Sequence, residues 1–116
     1  MGAWRRVADV SALADVEVIG VVSEGKRLAL FKLEDGIYAM DDVCSHEFSL
    51  LSQGEVWQGE VSCAKHGSRF NIRTGAVRGL PATLPVRTYP ARVENGAVYV
   101  DLDGSNGDDK ARAAGR

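Results

Sequence analysis

Residues 42–46 read DVCSH, and residues 63–70 read CAKHGSRF. The chain of 116 residues contains two cysteines and two histidines, and all four fall within these two short segments. Each segment supplies one thiol and one imidazole, and sixteen residues separate the first histidine from the second cysteine. Because thiolate and imidazole groups are the usual ligands of transition metals, the grouping predicts a metal centre. Its candidate ligands are Cys44, His46, Cys63 and His66.

Several kinds of site are compatible with two thiols and two imidazoles. Cys44 and Cys63 could be buried core thiols, or they could form a disulfide, which a reducing compartment disfavours. A structural zinc site also stays open, although zinc sites usually pair cysteine with cysteine and histidine with histidine. One thiol and one imidazole in each segment better suit a two-iron cluster, with both thiolates on one iron and both imidazoles on the other.

The sequence around the two motifs has the pattern of β-strands. Short aliphatic runs occupy residues 17–22, 28–33 and 37–40. Asp35–Gly36 and Asn95–Gly96 predict hairpins in which both turn residues adopt positive φ. The fold class is therefore predicted to be all-β.

The middle of the chain, from Asp42 to Pro85, differs from the rest because its strands are short and its glycines frequent. We expect it to form a loop-rich subdomain inserted into a β-sandwich or small barrel. Trp57 is expected in the core, because large aromatic side chains are usually buried. Residues 103–116 lack large apolar side chains and are predicted to form a flexible tail.

The spacing Cys-x-His, sixteen residues, Cys-x-x-His resembles that of the Rieske proteins, and specifically the Rieske-type ferredoxins of bacterial aromatic-ring-hydroxylating dioxygenases. The resemblance extends over about residues 3–102 and includes Gly79–Leu80–Pro81–Ala82. It implies one Rieske domain over residues 1–102. That domain would have an antiparallel β-sandwich base and a small inserted cluster-binding subdomain at about residues 43–80.

The resemblance also implies a role for individual residues. One [2Fe-2S] cluster would be held by the four ligands named above, in Cys2His2 ligation. Gly67 would allow a tight turn beside the cluster, Ser68 would donate its hydroxyl to a sulfide, and Pro81 would lie in the loop that covers the cluster. Respiratory Rieske proteins have a tyrosine where this chain has Phe70, and an additional disulfide. Fewer donors to sulfur imply a reduction potential near the low end of the family's range, which is roughly −150 to +300 mV.

The function implied is electron transfer without catalysis. The chain would carry single electrons from a flavin-dependent ferredoxin reductase to a terminal, aromatic-ring-hydroxylating oxygenase. Two alternatives share the motifs or the fold. One is a Rieske ferredoxin of another pathway, such as iron–sulfur assembly or another oxidase. The other is the small subunit of nitrite reductase, whose members often lack some of the ligands.

Composition excludes two other classes of partner. A net charge of −2 leaves no basic surplus for binding nucleic acid. The apolar runs are far shorter than the roughly 20 residues that a membrane span requires. No signal-peptide pattern follows Arg5–Arg6, so a cytoplasmic location is expected. A monomer is expected too, because a carrier must expose its cluster to two partners in turn.

Charge is unevenly distributed along the chain. Residues 34–60 contain seven acidic residues and no lysine or arginine, whereas residues 65–92 contain six basic residues and no acidic one. If the acids near Cys44 and His46 are free, Glu47 among them, they would attract a basic partner at rates that fall with salt.

Overall fold

The computed structural model describes residues 4–43, 50–63, 68–79 and 86–102. These residues form antiparallel strands and two short 3-10 helices, which confirms the all-β prediction. Within them, no helix is long and apolar enough to cross a membrane. The strands are β1 (Trp4–Asp9), β2 (Val18–Ser23), β3 (Lys26–Leu33), β4 (Gly36–Asp41), β5 (Glu55–Trp57), β6 (Glu60–Ser62), β7 (Arg69–Asn71), β8 (Val77–Gly79), β9 (Thr88–Tyr89), β10 (Ala91–Glu94) and β11 (Ala97–Asp101). The 3-10 helices are η1 (Val10–Leu13) and η2 (Leu51–Gln53).

The strands are arranged in three sheets. Their strand orders are β1–β11–β10, β2–β3–β4–β9 and β5–β6–β7–β8. Strand β4 pairs with β9, although the whole third sheet lies between them in the sequence. The third sheet is therefore an insertion into the second, as expected. The limits of the subdomain at residues 43–80 stay a prediction, and the predicted tail at 103–116 lies outside the described residues.

Strand β3 shows how three sheets share two cores. Its run Leu28–Ala29–Leu30–Phe31 is buried at every position. Leu28 and Leu30 belong to the core shared with β11 of the first sheet, whereas Ala29 and Phe31 belong to the core shared with β6 and β7 of the third. Since successive side chains of a strand point to opposite faces, the second sheet is buried on both sides. One face of the second sheet packs against the inserted third sheet.

Tight turns join most of the paired strands. Three of them have both turn residues at positive φ: Glu24–Gly25, Gln58–Gly59 and Asn95–Gly96. The hairpin predicted at Asn95–Gly96 is thus confirmed with its expected geometry. The hairpin at Asp35–Gly36 also forms, but Leu33 pairs with Gly36, so Glu34 and Asp35 make the turn and only Gly36 has positive φ. The expectation of two positive φ angles there was wrong.

One ion pair links the inserted sheet to the β3–β4 hairpin. Arg73 Nε and Nη2 donate to the two carboxylate oxygens of Asp35 at 3.1 and 3.0 Å. The same guanidinium lies 5.4 Å from the centre of the Tyr38 ring. The hydrogen bonds from Arg73 lower the pKa of Asp35, and those to Asp35 raise the pKa of Arg73. The two-point contact orients the insert relative to the base.

Trp57 contradicts its sequence-based expectation. Its side chain is 74% exposed. Strand β5 has only three residues and lies at an edge of its sheet, and Val56 is the residue that packs against the core. The alternation of the strand therefore directs Glu55 and Trp57 to solvent.

Candidate metal centre

The residues that flank the first predicted ligand segment pair with each other. Val43 and Leu50 form an isolated antiparallel bridge. One residue further out, the Leu51 N–H donates to the Asp42 carbonyl at 2.6 Å. The six residues between Val43 and Leu50 include Cys44 and His46, and they lie outside the described residues. Backbone hydrogen bonds nevertheless hold together the residues on either side of them.

Asp42 anchors this loop through its side chain as well. The carboxylate is 0% exposed, accepts the Ser52 N–H at 2.7 Å and the Ser52 hydroxyl at 2.9 Å, and lies 3.5 Å from Arg27 Nη2. A buried carboxylate that receives three donors holds its backbone in place more firmly than an exposed one. Sequence reasoning counted Asp42 among the surface acids and missed this role. Its position directly before the ligand segment was the available signal.

The second predicted ligand segment closes in the same way. The Cys63 N–H donates to the Ser68 carbonyl at 2.6 Å, and Ser62 pairs with Arg69 where β6 meets β7. Cys63 is 2% exposed and Ser68 is fully buried. His66 and Gly67 lie between them, outside the described residues. The second segment therefore joins two strands, β6 and β7, that pair directly on either side of it.

The bases of the two loops lie side by side. A Cβ placed on Gly54, which follows the first loop and η2, would lie 1.8 Å from the Ser62 carbonyl oxygen. Ser62 is the residue directly before Cys63, so the returning chain of the first loop contacts the root of the second. Leu51 and Cys63 also belong to one core cluster. The fold thus brings together the attachment points of both segments.

The surroundings of Cys63 are apolar. Phe70, Val61 and Leu51, all fully buried, share its core cluster. Phe70 has no hydroxyl, so at this position the chain offers a ring without a hydrogen-bond donor. Pro81, the predicted covering residue, lies outside the described residues, as do three of the four predicted ligands.

Most of the acidic side chains at residues 34–60 have partners within the chain. Asp35 binds Arg73, Asp41 accepts the Tyr89 hydroxyl at 2.5 Å, and Asp42 is buried. Glu60 lies 3.3 Å from Arg78 and 4.0 Å from Arg69. The run therefore attracts partners less than its sequence indicates, and Glu47, which the sequence placed in the docking surface, lies outside the described residues.

Residues 3–90 match the sequence profile of the Rieske [2Fe-2S] domain, three quarters of the chain. This chain belongs to the Rieske [2Fe-2S] domain family. It is 37% identical over 99 residues to the ferredoxin component of the naphthalene 1,2-dioxygenase system of Pseudomonas putida, which covers 85% of this chain and 95% of that protein. The identity is also 37% over 99 residues to the anthranilate 1,2-dioxygenase ferredoxin subunit of Burkholderia cepacia, covering 85% and 92%.

A solved structure agrees with this assignment. The Rieske-family fold of this chain superimposes on a chain of the complex of reduced oxygenase and oxidized ferredoxin in carbazole 1,9a-dioxygenase with a TM-score of 0.82. The match covers 90% of this chain and 98% of that chain at 29% identity. These relatives are electron-transfer components of dioxygenase systems and not the catalytic oxygenases.

The described residues fit an iron–sulfur cluster of Rieske type. A soft thiol, Cys63, lies buried among apolar side chains at the root of one loop, and the root of the loop that carries Cys44 adjoins it. Such clusters take thiolate and imidazole ligands, which are the donors that the two loops contain. The apolar surroundings would limit the access of water, which influences the potential of a bound cluster.

Proposed function

We propose that this chain is the ferredoxin of an aromatic-ring-hydroxylating dioxygenase system, carrying single electrons from a flavin-dependent ferredoxin reductase to a terminal oxygenase. The observation that carries the proposal is the 37% identity to the naphthalene-system ferredoxin over 95% of its length. Relatives named for aromatic dioxygenases favour this role over a ferredoxin of another pathway or a nitrite reductase subunit.

We propose further that Cys44 and Cys63 bind one iron of a [2Fe-2S] cluster and that His46 and His66 bind the other. When bound, the cluster accepts and releases one electron. The pairing of the residues that flank each ligand segment supports this ligation, because each segment contains one cysteine and one histidine in its sequence. Ligation through one ring nitrogen leaves the other histidine edges free to face a partner.

Four neighbouring residues complete the proposed site. Gly67 would permit the tight turn after His66, and Pro81 would stiffen the covering loop, since proline has no N–H and a restricted φ. The buried Ser68 would donate to a cluster sulfide, and the buried Phe70 would exclude water. A thiolate pair also suits a reducing compartment, which supports a cytoplasmic carrier, and we propose that it acts as a monomer.

A redox titration followed by electron paramagnetic resonance tests the proposed function. We expect a reduced-state signal whose average g value lies below that of all-cysteine clusters, and a midpoint near the low end of the family's range. Cys63→Ser and His66→Ala should each abolish that signal, whereas Lys65→Ala, which changes a residue between these two ligands, should retain it. Zinc in place of iron, or an unchanged signal in either ligand variant, would contradict the proposal.

Phe70→Tyr should raise the reduction potential. A hydroxyl that donates to a ligand thiolate stabilises the more negative, reduced cluster. A rise of roughly 65 mV corresponds to about 1.5 kcal/mol, the lower end of the range for a hydrogen bond to a charged group. Phe31→Tyr makes the same change in the same core but on the middle sheet, and should leave the potential unchanged. An equal potential in Phe70→Tyr with its cluster intact would show that the hydroxyl does not reach sulfur.

A further inference from the structure

A groove runs along strand β5 from the base of the ligand loops to the exposed Trp57. One wall is formed by residues 54–57 and the other by residues 15–18, which lead into β2. Its volume is about 680 Å³. Both β5 and β2 are edge strands of their sheets, so the groove lies between two sheet edges. We call it the Trp57 groove.

The apolar part of the Trp57 groove faces solvent. The side chain of Trp57 is 74% exposed and that of Val16 is 44% exposed. A tryptophan exposed to this degree contributes little to the stability of the fold, because most of its large apolar surface lies outside the core. Tryptophan is also one of the residue types enriched among those that dominate binding energy at protein interfaces.

The rim of the groove is acidic. Asp15, Glu17 and Glu55 line it and are exposed, and no lysine or arginine is among the described residues that line it. No ion pair among the described residues involves any of these three acids. The neighbouring Lys32 ammonium donates to the Ala14 carbonyl instead. The three acids thus differ from Asp35, Asp41, Asp42 and Glu60, whose carboxylates have partners.

We propose that the Trp57 groove docks a basic segment of a partner protein, with a lysine or arginine side chain placed over the Trp57 indole. Three carboxylates that have no ion pair among the described residues line the same groove as the exposed Trp57 and complement a cation, which the face of the ring also attracts. The same molecule contains such a contact, since the Arg92 guanidinium lies 4.3 Å from the centre of the Trp4 ring. At Trp57 the cation over the indole ring would be supplied by the partner protein.

A second copy of this chain is a less suitable occupant. Its net charge is −2, and its arginines at 69, 73, 78 and 92 each lie against a carboxylate of their own chain. The proposal rests on the proposed function, because an electron carrier must bind partner proteins. It adds a docking surface that extends from the loops to Trp57.

The test uses the intact cluster-loaded protein and a synthetic peptide in which arginine alternates with glycine. The chain has two tryptophans, so nuclear magnetic resonance gives two indole N–H signals, and Trp57→Phe assigns them. We expect the peptide to shift the Trp57 signal and to leave the Trp4 signal, already covered by Arg92, in place. The same peptide with citrulline in place of arginine is the uncharged control and should have little effect.

Variants locate the binding surface. Glu17→Gln and Glu55→Gln should each weaken peptide binding roughly two- to fivefold at low salt, as expected for one exposed charge. Glu94→Gln removes one acid from β10 of the first sheet, which does not line the groove, and should not change the affinity. An unmoved Trp57 signal, equal binding of the citrulline peptide, or unchanged affinity in both groove variants would overturn the proposal, as would a dimer that covers Trp57.

The failure of this proposal can be told apart from failure of the proposed function. Iron content and the paramagnetic signal are measured on the same samples. Absence of the cluster would contradict the proposed function, whereas peptide binding is read at Trp57. A loaded protein that ignores the peptide would overturn only the docking surface.

Discussion

Gly54→Ala should remove most of the bound cluster and destabilise the fold. The backbone of Gly54 is extended, with φ −87° and ψ −178°, so alanine itself is compatible with that conformation. The added Cβ would lie 1.8 Å from the Ser62 carbonyl oxygen, which is far inside van der Waals contact. One of the two backbones must move, at a cost of about 1–3 kcal/mol for such overpacking. The movement separates the roots of the two ligand loops.

Two measurements check this result: iron per chain in the purified protein, and the thermal midpoint of unfolding. Gly25→Ala is the matched control, because Gly25 has φ +81° and nothing within 4 Å of the added Cβ. That variant should lose about 1–2 kcal/mol from the left-handed conformation alone and keep its full complement of iron. Full iron content together with an unchanged midpoint in Gly54→Ala would show that the loop roots do not require this contact.

Asp42→Ala should have the second largest effect. Removing the carboxylate leaves the Ser52 N–H without its acceptor beside the first ligand loop, which costs about 1–3 kcal/mol. Arg27 loses its partner as well, although its half-exposed side chain can return to water. Because the Val43–Leu50 bridge then depends on backbone pairing alone, we also expect altered g values or a shifted potential in the protein that still binds a cluster.

Asp41→Asn separates a role in positioning from a general loss of stability. Asp41 precedes Asp42 and accepts the Tyr89 hydroxyl in the base of the fold. Asparagine can still accept that hydroxyl but lacks the charge, so the variant should lower the unfolding midpoint modestly without changing the paramagnetic signal. Ser52→Ala should reproduce part of the Asp42→Ala effect, because it removes one of the donors that fix the carboxylate. Native spectra in both Asp42→Ala and Ser52→Ala would exclude a positioning role.

Local chemistry accounts for the parts of this protein that could be predicted. The candidate ligands are recognised by residue type and spacing, and Cys63 is the one among the described residues. Strand segments such as residues 28–33 are recognised by their aliphatic composition, and the Asn95–Gly96 turn by its tolerance of positive φ. Each of these properties belongs to a few consecutive residues.

The roles that could not be predicted depend on what a side chain faces. Asp42 and Glu55 are both acids in the same sequence run, yet one is fully buried with three donors and the other is exposed on the rim of a groove. Trp57 and Phe70 are both aromatic residues on short strands, yet one is exposed and the other is in the core. The two side chains of each pair belong to the same chemical class, but one is buried and the other is exposed.

The sequence by itself determined the all-β class and the presence of an insertion, and it predicts the donor set, because strand periodicity and metal-ligand spacing are properties of neighbouring residues. Only the tertiary structure decided that the second sheet is buried on both faces, that Gly54 joins the two loop roots, and that an acidic groove opens beside Trp57. The physical reason is that burial and charge pairing are set by residues far apart in the chain. Asp35 and Arg73, which are 38 positions apart and bonded at 3.0 Å, are one such pair.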